Sequence, residues 1–411
     1  MSSTPIADAR SNDTAPPIAE ARTATRLLVC VPSLAADALE ATLSNLSEAF
    51  STEDLLVATP DALPDGKPWP RMERIARSGE PSATGWVLDG EDYGFAAGVA
   101  AERHAPTVLL LGGEPASLSA EVLYGLVECI RGGNIDLALP RFSPGVDSGL
   151  VTAALLYPLT RALFAADVRF PLPAAAACSA RMMQRLGASY RPGRGGSSPA
   201  LLWPVAEAAI AGYAVREIEA GDAAPPTPQD GEFNELFQVV TASLFTDVEA
   251  KASFWQRFRN RGTLAEETLP PAPRAVSAGV EGGPEVAAMI DAFHIAHDNL
   301  QEIWSLVLPP QTRLALKKLA IEPAASFAFD PHLWARVVYD FTLAFHLRTL
   351  NRGHLLGAMM PLYLAWAASH LLAAGNDQER AARHIEATAA CFELEKSYLV
   401  SRWRWPDRFN P

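Results

Sequence analysis

The chain is poor in the residues that most often announce chemistry. Four cysteines, Cys30, Cys129, Cys178 and Cys391, stand far apart with no C-x-x-C pair. That spacing points to neither a zinc knuckle nor a disulfide framework, and reduced thiols in a cytoplasm are the simple reading. Cationic residues are outnumbered: 34 Lys and Arg face 47 Asp and Glu, for a net charge of -13. Such a balance argues against a nucleic-acid backbone or an anionic membrane surface as the main partner. The first 25 residues are rich in Ala, Ser, Thr and Pro and lack the apolar core of a signal peptide, so a disordered tail is expected there. No internal repeat or heptad array is visible.

What is present is apolar and patterned. Hydrophobic residues make up 49% of the 411, enough for a large core and more than one domain. From Arg26 to about Phe142, "RLLVCV", "DLLVAT", "TVLLLGG" and "DLALPRF" read as strands. Leu39, Leu43, Leu46 and Phe50 recur at helical spacing between the first two. Val122, Leu123, Leu126, Val127 and Ile130 do the same after Gly112, with Gly132-Gly133 as a C-cap. This alternation predicts an α/β domain with a mostly parallel sheet over residues 26–260. Residues 261–284, rich in Pro, Gly, Ala and Glu, read as a linker, and residues 285–411 as a helical C-terminal domain. The stretch Leu355–Gly375 carries no Asp, Glu, Lys or Arg and is nearly long enough to span a bilayer. Pro361 and His370 within it fit a packed core helix better, so no membrane span is expected.

Several segments invite a chemical reading. "GEDYGFAAG" (90–98) has neither the Lys-Ser/Thr of a P-loop nor dinucleotide glycine spacing. Asp89, Glu91 and Asp92 either bind a cation or form a solvated acidic turn, and the turn is preferred. "DAFHIAHD" sets Asp291, His294, His297 and Asp298 at helical spacing, where an exposed polar face competes with a metal site. "RPGRGG" sets Arg191 and Arg194 beside glycines, suited to a phosphate or to a mobile surface loop.

"VCVPSLAA" (29–36), "YPLTRALFAADVRFP" (157–171), "FQVVTASLF" (237–245), the long run 333–370 and "CFELEKSYLVSRW" (391–403) together resemble one family. It is the GT-A fold glycosyltransferases of family 2 type, in the subgroup of glucosylglycerate and mannosylglycerate synthases. The resemblance covers about residues 26–403 in order, and the 157–171 and 333–370 blocks carry most of its specificity. It implies sugar transfer from a nucleotide-diphosphate sugar to a small acceptor such as a glycerate. A Mg2+ or Mn2+ ion, held by an Asp-X-Asp and a His, would offset the charge of the leaving diphosphate.

Laid on this chain, those polar positions are altered. Asp-X-Asp falls on Gly112-Gly113-Glu114, and the family's Gly-Lys-Gly falls on Gly90-Glu91-Asp92. The Asp of a first-half turn falls near Pro60, the acceptor loop on Pro173–Ala177, an acidic residue on Leu201 (two before Trp203), and the metal His near Pro225. The resemblance therefore implies a retained scaffold with an eroded catalytic shell. Family-equivalent substrate contacts are Pro32 and Ser33, Gly90 and Glu91, and Gly112, Gly113 and Glu114, with Arg161 and Arg194 beyond them. Glu114 is the one metal ligand left, and no cofactor is expected. The expected function is binding, either of a nucleotide sugar or of an active homologue or second copy. The alternative is an active transferase with a rebuilt site using Glu114, Asp89 or Asp92, and Arg194, with Mg2+ or Mn2+ or without metal.

Overall fold

The computed structural model describes residues 26–63, 69, 71–77, 85–190, 201–225, 233–257 and 284–405. Seven strands form one sheet: β1 (Leu27–Cys30), β2 (Leu55–Thr59), β3 (Met72–Ala76), β4 (Thr107–Leu111), β5 (Leu137–Arg141), β6 (Ala175–Ser179) and β7 (Val215–Glu219). Their order is β3-β2-β1-β4-β6-β5-β7. Every pairing is parallel except those of β6, which runs against both β4 and β5.

Short apolar runs form the central strands β1, β2, β4 and β5 because both faces of the sheet are covered there. Along β1, Leu28 and Cys30 enter one core, and Leu27 and Val29 the other. Helices α1 (Ala36–Ala49) and α3 (Ala120–Arg131) close one face through Leu39, Leu43, Leu46, Leu123 and Leu126. Helices α2 (Gly90–Arg103), α5 (Ala180–Ser189) and α6 (Pro204–Ala211) close the other through Tyr93, Ala96, Met182, Leu186 and Ala208. The predicted C-cap of α3 is present, with Gly132 as the cap and Gly133 at φ 82°.

The remaining helices share a third core. They are α4 (Tyr157–Phe164), α7 (Phe233–Ala250), α8 (Ala252–Trp255), α9 (Pro284–Asn299), α10 (Gln301–Val307), α11 (Pro310–Leu319), α12 (Pro331–Leu347), α13 (Arg352–Ala374) and α14 (Gln378–Arg404). The C-terminal part is helical as expected. Its core also takes in α4 and α7, from the N-terminal side of the boundary read at residue 260. The linker read at 261–284 lies outside the described residues, apart from the start of α9.

A π-helical turn, Thr152–Leu156, leads into α4, and the Trp334 indole donates to the Ala154 carbonyl within it at 2.9 Å. Helix α13 is the one helix among the described residues long and apolar enough to cross a membrane, and most of it is buried inside the molecule. Pro361 removes the amide that would bond the Gly357 carbonyl, and Trp304 donates to the neighbouring Ala358 carbonyl at 2.9 Å, tying α10 to α13 at that turn.

Candidate functional site

In an open α/β sheet, ligands bind beyond the carboxyl ends of the strands where the strand order reverses. Here that point lies between β1 and β4, since the chain leaves β1 toward β2 and β3 and returns on the other side. The residues following β1, β2 and β4 therefore meet at one edge. They are Pro32-Ser33, Pro60-Asp61 and Gly112-Gly113-Glu114.

Asp61 organises the first two. Its carboxylate accepts from the Ser33 hydroxyl at 3.1 Å and from the Leu34 amide at 2.8 Å. Arg74 donates to the carbonyls of Asp61 (2.7 Å) and Pro60 (3.0 Å) and braces the turn from outside. An acidic side chain therefore stands one position after Pro60.

Gly112 is buried, and its amide donates to the Ala174 carbonyl at 2.7 Å. A Cβ added there would lie 3.1 Å from that carbonyl oxygen and 3.1 Å from Leu88 Cδ2. Gly113 follows at φ 59°, a left-handed conformation that suits glycine. Glu114 is exposed and opens a 3-10 turn at Pro115–Ser117. The strand end is therefore shaped for close backbone packing, and its first residue has little room for a side chain.

The segment read as a solvated acidic turn is corrected by the structure. Asp89 and Asp92 are buried. Asp89 caps α2 by accepting from the amides of Glu91 (2.9 Å) and Asp92 (3.1 Å), and Asp92 returns the bond by accepting from the Asp89 amide at 3.0 Å. This is a capping box. Arg77 donates to Asp92 at 2.8 Å, stacks its guanidinium 5.1 Å from the Phe95 ring, and is itself buried. Burial, then the neighbouring Asp89, raise the Asp92 carboxyl above its usual range, and Arg77 opposes them. Of the two anions read beside the diphosphate position, Asp92 is paired and inward, and Glu91 is exposed. Sequence reading missed Arg77 because β3, which it follows, is short and polar in "MERIA".

The acceptor-loop position is also corrected. Ala175, Ala176 and Ala177 belong to β6, a fully covered central strand, and Pro173 and Ala174 are buried beside it. Their small side chains pack under the helices on the two faces, Ala175 and Ala177 on one and Ala176 on the other. Leu201 is buried, and Trp203 donates to the Ser243 hydroxyl at 3.1 Å. Pro225 lies in the chain beyond β7, and Arg194 falls outside the described residues.

Arg161 faces a different set of partners. Together with Tyr157 and Arg169 it bonds Glu386 of α14, Tyr157 doing so at 3.1 Å and Arg169 at 3.2 Å. Arg161 also approaches Glu393 at 3.4 Å. It joins α4 to the C-terminal helix. His294 and His297 lie on one stretch of α9, and His297 pairs with Gln301 at 2.9 Å. Among the described residues, no group of three or more His, Cys, Asp or Glu side chains is arranged to hold a metal ion.

All four cysteines are free, and burial pushes the Cys30 thiol up to about 12, so it is a packing group and not a nucleophile. No family model matches this sequence, and no curated protein matches it.

Proposed function

We propose that this protein binds a nucleotide-diphosphate sugar on a GT-A glycosyltransferase scaffold of the glucosylglycerate/mannosylglycerate synthase type, without transferring the sugar, in the reducing compartment its thiols suit. The observation that carries the reading is the sheet edge at β1/β4. Bonded Ser33 and Asp61 and, beyond the neighbouring strand, Gly113 and Glu114 stand at that edge, while the packing around Gly112 leaves little room for a metal-binding carboxylate. A diphosphate leaving group needs concentrated positive charge, and one exposed glutamate offers a divalent ion a poor site.

The alternative is a transferase with a rebuilt site. Asp61 favours it, because it supplies an acidic side chain beside Ser33 at the edge.

Calorimetric titration of the full chain with UDP- and GDP-sugars, with and without Mn2+, separates the two. The binding reading expects heat that Mn2+ does not enhance, and no sugar released or transferred. Mn2+-dependent turnover that Glu114→Ala abolishes would replace it with the rebuilt site. Absence of any binding would overturn both.

A further inference from the structure

Away from the sheet edge, two imidazoles face one another. His370 of α13 and His384 of α14 approach at 3.1 Å between their Nδ1 atoms, with ring centroids 5.0 Å apart. His370 is 1% exposed and stacks on Trp366 at 5.3 Å and 12°. Its Nε2 makes no well-formed hydrogen bond, and the Val146 backbone lies within reach of the ring. Gln378, at the start of α14, donates to the Pro144 carbonyl at 3.5 Å. That bond ties the start of α14 to the segment that leaves the carboxyl end of β5.

We propose that the His370–His384 pair is an acid-sensitive latch that holds the first turns of α14 against α13. At neutral pH one Nδ1 donates and the other accepts, so two neutral rings share one proton. When both rings are protonated, two N–H donors and two like charges meet at 3.1 Å, and the contact repels. Burial, then His384, lower the basicity of His370, to about 4, and burial lowers that of His384. The latch is therefore fully formed above the unperturbed histidine value near 6.5 and weakens as pH falls from there toward 4.

The charged groups on the surrounding elements are engaged elsewhere. Asp147 accepts from Ser148 (3.3 Å), Asp377 from Arg380 (3.2 Å), Arg383 pairs with Glu379 (3.9 Å), and Glu386 is held by Arg161 and Arg169. Asp330, capping α12, accepts from the Leu333 amide at 2.9 Å. On α13 itself, Leu355–Gly375 contains no charged residue other than a protonated His370. None of these charged groups bonds either ring, and the Val146 backbone alone favours a charged His370, against burial and His384.

The test is amide hydrogen exchange of the full chain at pH 7.5, 6 and 5, with exchange times scaled for the intrinsic rate. Protection of the first half of α14 should fall by about tenfold to about a hundredfold per pH unit below 6.5, as opening lets one or both rings take up a proton. The double variant His370→Phe, His384→Leu should lose that dependence. Should that variant not fold, histidine-labelled NMR of the unaltered chain decides, because both imidazoles should titrate below pH 6. Unchanged protection, the same pH dependence in the double variant, or midpoints near 6.5 would overturn the latch.

Discussion

Arg77 and Asp92 form a buried ion pair, 2.8 Å from nitrogen to oxygen, that ties the segment after β3 to the N-terminus of α2. Asp92 also completes the capping box with Asp89, so one carboxylate serves both a helix end and a buried guanidinium. Breaking such a pair from one side leaves an uncompensated buried charge. Arg77→Ala should therefore cost about 3–5 kcal/mol in chemical denaturation. The double change Arg77→Met, Asp92→Asn should cost clearly less, and equal losses would show that the pair is not the source.

Gly112→Asp, the change that would restore a carboxylate to the strand end, should destabilise the fold instead. The new Cβ meets the Ala174 carbonyl and Leu88 at 3.1 Å, and its charge enters a buried site. Overpacking and burial together predict a loss of about 2–4 kcal/mol. Even combined with Glu114→Asp it should yield no Mn2+-stimulated sugar release. A variant of unchanged melting temperature that turned over a nucleotide sugar would contradict both parts.

Glu217, in β7, accepts from the Arg169 amide at 2.8 Å and holds the segment before Phe170. Burial raises its carboxyl to about 7, against the pull of Arg141 and the backbone amides. A raised acid contributes stability below its unfolded value near 4.5 and loses it as pH rises through 7. Between pH 5 and 7 that slope approaches about 1.4 kcal/mol per pH unit for one proton. Glu217→Gln should flatten this part of the stability profile, and an unchanged profile would refute the assignment.

Glu386 gathers Tyr157, Arg161 and Arg169 against α14, but it is nearly half exposed, so solvent weakens each bond. Glu386→Ala should cost only about 1 kcal/mol. Its clearer signature should be faster hydrogen exchange in α4 and the middle of α14. Loss confined to other helices would argue against this junction.

Helix α13 lies against α7, α9, α12 and α14, and the Trp304 indole of α10 bonds its Ala358 carbonyl. The protein should remain in the high-speed supernatant after lysis without detergent. Recovery only from detergent-extracted membranes would contradict this packing.

The elements most legible in the sequence are those whose side chains repeat a period. Strands β1, β2, β4 and β5 are short apolar runs, and α1 and α3 carry one apolar face each, so local pattern and final environment agree. Strand β3 hid because "MERIA" lies at the sheet edge and is half exposed. Strand β6 hid because "AAACS" carries little β-propensity; its alanines face the helix-covered cores on both sides of the sheet, Ala175 and Ala177 on one and Ala176 on the other.

The site divides in the same way. Gly112-Gly113-Glu114 at a strand end could be read directly, because an apolar run followed by glycines is a local signal. The roles of Asp61 and Arg77 could not, because each depends on residues brought together from different strands: Asp61 with Ser33, and Arg77 with Asp92. By itself the sequence determined an α/β unit followed by helices, and a strand end with one carboxylate. Tertiary structure alone decided that the acidic segment at 89–92 is a buried cap, that the alanine run is a central strand, and that α4 and α7 join the helical core. Periodicity records which side of an element faces a core, whereas burial of a charge or passage of a strand depends on what the rest of the chain sets beside it.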